Sequence, residues 1–465
     1  VFVHQLYTNC LAEAAYYIES NGEAAIVDPI RETSPYIELA KSRNAKIKYI
    51  FETHFHADFV SGHIDLAKKT GATIVFGPLA DTSYAVHNAK DGEEFKIGDL
   101  TIRTLHTPGH TPESTSFLLL DENFSEYCVF TGDTLFVGDV GRPDLLDGKM
   151  TSEELASMLY DSLNKKIKTL PDEVIVYPAH GPGSACGKSI GKETWSTIGQ
   201  QKKTNYALRE MSKEEFVKVV TTGLTPPPLY FFEDARINKM GYDSIDGVVN
   251  KNMKSLSVAE LKKEIESGTQ ILDTREGSDF EIGYIKSSIN IGLNGMFAIW
   301  VGTVIDIGKR LVLVCEKGKE EESVLRLARV GFENVAGYLD GGFDAWKNSG
   351  RPVETITSVE PYEFASKVKQ GAHVVDVRKL SEAENGHVQN ATVLPLNDLL
   401  KNINQLNRNE THYIHCAGGY RSMIATSLLK ANGIEKVINV HNGWSKIKDT
   451  DVPVATGLPD NVKPV

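Results

Sequence analysis

Cysteine is scarce in this chain: five occur among 465 residues, at positions 10, 128, 186, 315 and 416. An odd, scattered set excludes a disulfide framework, offers no zinc-knuckle spacing, and fits a reducing cytosol. No apolar run approaches ~18 residues, which excludes a transmembrane helix. No basic tract stands out, and a net charge of −12 argues against a nucleic-acid partner. The start, Val1-Phe2-Val3-His4, runs directly into strand-like sequence. It carries neither a signal-peptide pattern nor an initiator methionine, which reads as a trimmed start. A cytoplasmic location is the expectation.

What is present is an ordinary globular composition, 41% hydrophobic, with length for about three domains. The most informative stretch is Thr53-His54-Phe55-His56-Ala57-Asp58-Phe59. It follows an apolar run at 47–51 that reads as a strand, so the cluster sits on the loop at the strand's carboxyl end. Residues two apart on an extended segment point the same way, so His54 and His56 can aim at one ion with Asp58 in reach. Chance histidines on a polar loop would not repeat downstream, and these do. Thr107-Pro108-Gly109-His110-Thr111 follows a strand-like run at 100–105, and Thr131-Gly132-Asp133-Thr134-Leu135 follows one at 127–130. Tyr177-Pro178-Ala179-His180-Gly181 has the same form. Strand, turn and ligand, four times over, describes a layered sheet whose loops converge on a metal.

This ordered set of motifs resembles the metallo-β-lactamase superfamily over roughly the first half of the chain. The resemblance implies an αββα sandwich with a metal at one sheet edge. Dinuclear zinc hydrolases of the superfamily, such as the glyoxalase II thioesterases, carry histidine after the motif's aspartate; here Phe59 stands there and cannot ligate. Two histidines and one carboxylate around a single ion form the facial triad of non-haem Fe(II) oxygenases. By resemblance to the persulfide dioxygenase branch, His54, His110 and Asp133 are the expected ligands of one Fe(II) per chain. In that branch His56, Asp58 and His180 resemble groups that orient ligands or line the substrate pocket; His56 as a fourth ligand is the alternative. His4, His63, His87 and His106 read as structural or surface residues.

The cysteines divide. Cys128 reads as a buried small hydrophobe and Cys10 as core. Cys186 lies in Gly183-Ser184-Ala185-Cys186-Gly187-Lys188, a small-residue loop after His180. Glycines let such a loop approach a ligand, and Lys188 would favour a thiolate or an anionic substrate. The loop resembles one in persulfide dioxygenases fused to sulfurtransferases. A sulfur-handling or substrate-contact role for Cys186 stands beside that of a plain loop cysteine.

A polar, helix-like tract at 200–211 leads into Leu224-Thr225-Pro226-Pro227-Pro228-Leu229-Tyr230, where three prolines stiffen the chain. The first domain is placed at 1–248. Beyond it the sequence repeats: Asp273-Thr274-Arg275 recurs as Asp376-Val377-Arg378, and Gly341-Gly342-Phe343 as Asn442-Gly443-Trp444. Two copies of this size are domains, not a solenoid. Apolar strands alternate with amphipathic helices, which implies parallel sheets flanked by helices. The fold class is therefore α/β throughout, with two parallel-sheet domains that resemble rhodaneses at 249–355 and 356–465.

The second copy carries His415-Cys416-Ala417-Gly418-Gly419-Tyr420-Arg421-Ser422. A strand delivers Cys416 into a glycine-rich loop that opens a helix. Backbone N–H groups, the helix N-terminus and Arg421 would together stabilise a thiolate and then a persulfide. The first copy has Cys315-Glu316-Lys317-Gly318-Lys319-Glu320-Glu321-Glu322 instead. Aligned without a gap from the Gly331 and Gly433 anchors, Val314 falls opposite Cys416 and Cys315 lies one place off. With no arginine and three consecutive glutamates, this copy reads as an inactive pseudo-rhodanese whose work is structural.

Taken together, the resemblance implies an enzyme that oxidises a low-molecular-weight persulfide with O2 to sulfite. Cys416 then passes sulfane sulfur to sulfite, giving thiosulfate. The carrier thiol is left open among glutathione, coenzyme A, cysteine and bacillithiol. Two alternatives stand: a dinuclear zinc thioester hydrolase of the glyoxalase II kind, and a sulfane-sulfur carrier with a structural metal. A homo-oligomer is expected by base rate alone.

Overall fold

The computed structural model describes residues 1–145, 150–224, 226–228 and 230–457. Thr225 and Leu229 of the proline-rich stretch lie outside the described residues. The chain divides into two compact units, Val1–Val248 with Leu327–Gly331, and Val249–Arg326 with Phe332–Val465.

The first unit is built from two six-stranded sheets face to face. One runs in order through Phe2–Thr8, Glu13–Ser20, Glu23–Val27, Lys46–Glu52, Thr73–Phe76 and His87–Asn88. The other runs from Ser196–Thr197 through Ile175–Pro178, Glu126–Gly132, Thr115–Leu120 and Leu100–His106 to Glu94–Ile97. Alternating side chains of both sheets meet in one core that contains Tyr16, Val27, Phe51, Val75, Phe117, Leu119, Cys128 and Phe130. Helices Ser34–Ser42 and His63–Thr70 cover the outside of the first sheet. Leu155, Leu159, Ile198 and Phe216, from helices Ser152–Ser162, Ile198–Thr204 and Lys213–Thr221, share a second core with Leu118, Val129 and Val176 of the second sheet. This is the αββα layering that the motif order implies.

Two local expectations are corrected. The tract at 200–211 is not one helix: Ile198–Thr204 stops at Asn205, whose side chain instead accepts the Ala207 N–H and starts a 3-10 turn at Tyr206–Leu208. Cys10 is half-buried in the turn between the first two strands rather than in the core, whereas Cys128 is fully buried.

The second unit holds two five-stranded sheets with the same strand order, all neighbours parallel. The first is Ser255–Leu256, Val335–Leu339, Leu311–Val314, Gln270–Asp273, Ile289–Asn290. The second is Thr357–Val359, Val437–Val440, His412–His415, His373–Asp376, Thr392–Val393. Each has its own apolar core. Among the described residues, no helix is long and apolar enough to cross a membrane.

Register corrects one alignment. Asp273 pairs with Val314 as Asp376 pairs with His415, so Cys315, and not Val314, stands opposite Cys416. The helix after Cys416 spans Tyr420–Ala431, while that after Cys315 spans only Glu320–Ala328. Longer loops on either side of the shorter helix make up most of that difference, so the stretch from cysteine to the Gly331 or Gly433 anchor differs by one residue, which a gapless alignment cannot absorb.

Candidate metal centre and thiolate loop

Each metal-type side chain enters from the end of a strand. His54 and His56 follow Lys46–Glu52, His110 follows Leu100–His106, Asp133 follows Glu126–Gly132, and His180 follows Ile175–Pro178. A short bridge between Glu13 and His180 ties the two sheets together at this edge.

The histidines arrive pre-oriented. His110 Nδ1 is 2.8 Å from the Arg142 carbonyl, His180 Nδ1 is 3.2 Å from the Ala12 carbonyl, and His54 Nδ1 is 3.0 Å from Thr53 Oγ1. A ring nitrogen donating to a carbonyl fixes the tautomer, leaving Nε2 with a free lone pair. His54 Nε2, His110 Nε2, both Asp133 oxygens, Asp58 Oδ1 and His180 Nε2 are buried without any hydrogen-bond partner. Leaving so many polar atoms unpaired in a protein interior is costly, and a cation among them removes the cost. Burial and the neighbouring imidazoles of His56, His110 and His180 hold His54 well below the usual histidine range, so it stays neutral and fit to ligate.

Asp133 has two sides. Its Oδ2 lies 3.3 Å from His110 Nε2 and 3.8 Å from His54 Nε2, and its Oδ1 lies 3.5 Å from His180 Nε2. His54, His110 and Asp133 place one ligand atom each within 4.8 Å of one another. On the other side His180 Nε2 is 3.4 Å from Asp58 Oδ2, and Cys186 joins Asp133 and His180 within the same 4.8 Å limit. Burial lowers His180, but Asp58 and Asp133 outweigh it and leave its affinity for a proton raised. His56 turns Nε2 to Asp28, 3.1 Å away, and to Glu52 at 3.8 Å. The Phe59 ring lies 4.3 Å from that of His56.

Cys186 is fully buried, and burial, with Asp58 and Asp133 adding, pushes its thiol well above the usual range. Lys188, two residues on, directs its ammonium elsewhere. Its Nζ donates to the Val219 and Thr222 carbonyls at the end of helix Lys213–Thr221, at 2.6 and 2.5 Å. Those unsatisfied helix-end carbonyls claim the ammonium.

Several supports were not apparent from sequence. Thr53 donates both its N–H and its hydroxyl to Asp28 and so sets the start of the motif. Gly132, at φ +52°, sits where a Cβ would come within 2.5 Å of Thr53 Oγ1. Arg142 donates its backbone N–H to the Cys186 carbonyl and its side chain to Asp144, tying the Asp133 and Cys186 loops together. The one available signal was position: Asp28-Pro29 and Gly141-Arg142 each follow closely on a motif or strand. His63 is a buried structural residue as expected, with Nε2 2.7 Å from Tyr84 Oη.

In the second unit Cys416 is buried, and the Gly419 N–H donates to its Sγ at 3.1 Å. The Trp444 N–H donates to the Cys416 carbonyl at 2.7 Å, and a Cβ at Gly443 would lie 2.2 Å from that oxygen. Arg421 is not given over to the sulfur alone: its guanidinium grips Glu382 through two bonds of 2.7 and 2.8 Å. Among the described residues no backbone N–H donates to Cys315 Sγ. It faces Ser323 Oγ at 3.5 Å, and burial pushes its thiol up to about 11.

Comparison with known proteins follows the same division. The model of the metallo-beta-lactamase superfamily matches residues 8–180, and that of the rhodanese-like domain matches 257–349 and 360–450. Human persulfide dioxygenase ETHE1, a mitochondrial protein, is 33% identical over 208 residues, 44% of this chain and 74% of that one. A cytoplasmic hydroxyacylglutathione hydrolase of Arabidopsis thaliana is 33% identical over 176 residues, 37% of this chain and 65% of its own. Among solved structures, a metallo-beta-lactamase from Staphylococcus aureus subsp. aureus COL is 32% identical, with a TM-score of 0.65 over 73% of this chain and 98% of that one. With a persulfide dioxygenase relative matched over most of its length, the chain belongs to the metallo-β-lactamase superfamily, as an enzyme that carries two rhodanese-like domains behind its metal domain.

Proposed function

We propose that this enzyme is a non-haem Fe(II) persulfide dioxygenase coupled to sulfur transfer. The observation that carries the reading is the buried, unpaired set of His54 Nε2, His110 Nε2 and Asp133 Oδ2. Two imidazoles and a carboxylate suit one Fe(II) and leave other positions open. The name of the human relative supports the substrate class. Bound iron would supply the redox chemistry that lets O2 react with a persulfide.

The chain's own residues do the rest. Thr53 and the Arg142 carbonyl hold the two ligand imidazoles in their working orientation. Cys186 stays a neutral thiol beside Asp133 and His180, a weak donor toward a substrate sulfur. His180 Nε2, beside Asp58, is placed to take a proton. Overall, RSSH, O2 and H2O become RSH, sulfite and two protons. A second persulfide hands its sulfane sulfur to Cys416, releasing RSH. Sulfite then attacks that terminal sulfur, breaks the S–S bond, and leaves as thiosulfate with the Cys416 thiolate restored. Joining both activities in one chain raises the intermediate's effective concentration to roughly millimolar.

Oxygen uptake on glutathione persulfide should be lost in His110→Ala and kept in Cys416→Ser, which should lose only thiosulfate formation. Uptake that survives His110→Ala removes the triad from the reaction. A second reading draws on the other side of Asp133. Asp58 and His180 gather there with the second Asp133 oxygen, Cys186 lies within reach of Asp133 and His180, and the Arabidopsis relative is a hydrolase. Two zincs per chain with thioester cleavage would favour that reading, and a chain with neither activity would favour the sulfane-sulfur carrier.

A further inference from the structure

The first rhodanese-like copy lacks a sulfur cradle of its own but lies against the helix that opens from the cradle of the second. Tyr420, the first residue of helix Tyr420–Ala431, reaches across and donates its hydroxyl to the Gly292 carbonyl at 2.7 Å. Its ring covers Gly295 so closely that a Cβ there would lie 2.3 Å from Tyr420 Cζ. One turn on, Met423 packs with Phe280 and Tyr284 of the first copy and with Ile356 at the start of the second. A further turn on, Ser427 Oγ accepts the Asn290 N–H at 3.0 Å. Three successive turns of one helix are thus seated on the first copy.

The position of Tyr420 gives that seating a chemical consequence. It directly follows Gly419, whose N–H donates to Cys416 Sγ and whose φ is +105°. Pinning Tyr420 fixes the next peptide plane and the direction of the helix N-terminus, the two features that favour negative charge on sulfur. Only bare backbone at Gly295 lets the ring reach its seat. We propose that Tyr420 is a positioning residue, clamped by the segment 292–295 of the first rhodanese-like copy, which thereby holds the Cys416 loop in its anion-binding shape. This rests on the reading of Cys416 as the sulfur-carrying nucleophile.

The test uses the full chain and two readouts: the alkylation rate of Cys416 by iodoacetamide, followed on its own peptide by mass spectrometry, and thiosulfate:cyanide sulfur transfer. Gly295→Ala should slow both roughly tenfold, with the loss in kcat and not in KM. Oxygen uptake on a persulfide should not change. Tyr420→Phe, which keeps the ring and loses the hydroxyl, should show a smaller loss and carries the test if Gly295→Ala fails to fold. In a Tyr420→Ala background Gly295→Ala should add nothing, because the ring it displaces is gone. Native rates in both Gly295→Ala and Tyr420→Phe, or full additivity in the double variant, would overturn the clamp. A native chain that transfers no sulfur would instead overturn the role of Cys416, while alkylation would still decide on the clamp.

Discussion

Cys315 and Cys416 stand at the same point of two matching sheets, each directly after the strand residue that pairs with the aspartate of an Asp-x-Arg motif. Their surroundings have diverged. Cys416 receives an N–H from a glycine loop, whereas Cys315 faces a serine hydroxyl beneath a helix that begins Glu320-Glu321-Glu322. Cys416→Ser should abolish sulfur transfer, and Cys315→Ser should leave it within about twofold, since a buried thiol held near 11 offers almost no thiolate at neutral pH. Steady-state thiosulfate:cyanide rates on the two variants check this; a large loss in Cys315→Ser would show that the first copy takes part.

The aspartates of the two Asp-x-Arg motifs set opposite acid responses. Burial raises Asp376, but His415 and Arg378 outweigh it and hold the carboxyl below the ordinary 3.8. Its contribution is therefore present above 3.8 and is lost as pH falls through the lower folded value. Burial also lowers His415, so protonation on the way down from 6.5 works against the folded form too. In the first copy Val314 replaces the imidazole, and burial leaves Asp273 raised despite Arg275. Asp273 thus favours folding below 3.8, and that contribution fades as pH rises through its raised value. Hydrogen exchange of strand His373–Asp376, corrected for intrinsic rates, should show protection falling toward acid, and His415→Val should flatten that fall. An unchanged slope in His415→Val would refute the assignment.

Thr53 joins Asp28 to His54, and Gly132 leaves room for it. Thr53→Val keeps the shape and loses the hydroxyl. Iron affinity should drop roughly tenfold to hundredfold, as for other groups that orient a ligand. Gly132→Ala should do at least as much, through the clash with Thr53 and a strained φ. Metal retained after dialysis against a graded series of chelators measures both, and native retention in Thr53→Val would contradict the role.

Lys188 belongs to a helix end. Lys188→Met should cost about 0.5 kcal/mol of stability through lost charge at the last carbonyls of helix Lys213–Thr221. KM for the persulfide should stay within about twofold of native. A large rise in KM would return the ammonium to the substrate pocket.

Much of this was legible in the order of residues. The four strand-end motifs name the metal-type side chains because each combines an apolar strand, a turn and one donor, a local pattern. The repeated Asp-x-Arg and closing glycine segments reveal the duplication for the same reason. What stayed hidden depends on where a side chain goes after it leaves the backbone. Lys188 follows Cys186 by two residues, yet points to a helix end that no local rule links to it. Thr53, Arg142 and the Ala12 carbonyl act through bonds spanning up to 168 residues. The equivalence of Cys315 with Cys416 was masked by helices of unequal length, which strand register alone resolves.

The most direct test is metal analysis of protein purified without oxygen, paired with an oxygen-electrode trace on a persulfide. One iron per chain is expected, with uptake that scales with iron content and vanishes in His110→Ala. Two zincs per chain, no uptake, and hydrolysis of a glutathione thioester would contradict the assignment of His54, His110 and Asp133 to a single redox-active ion.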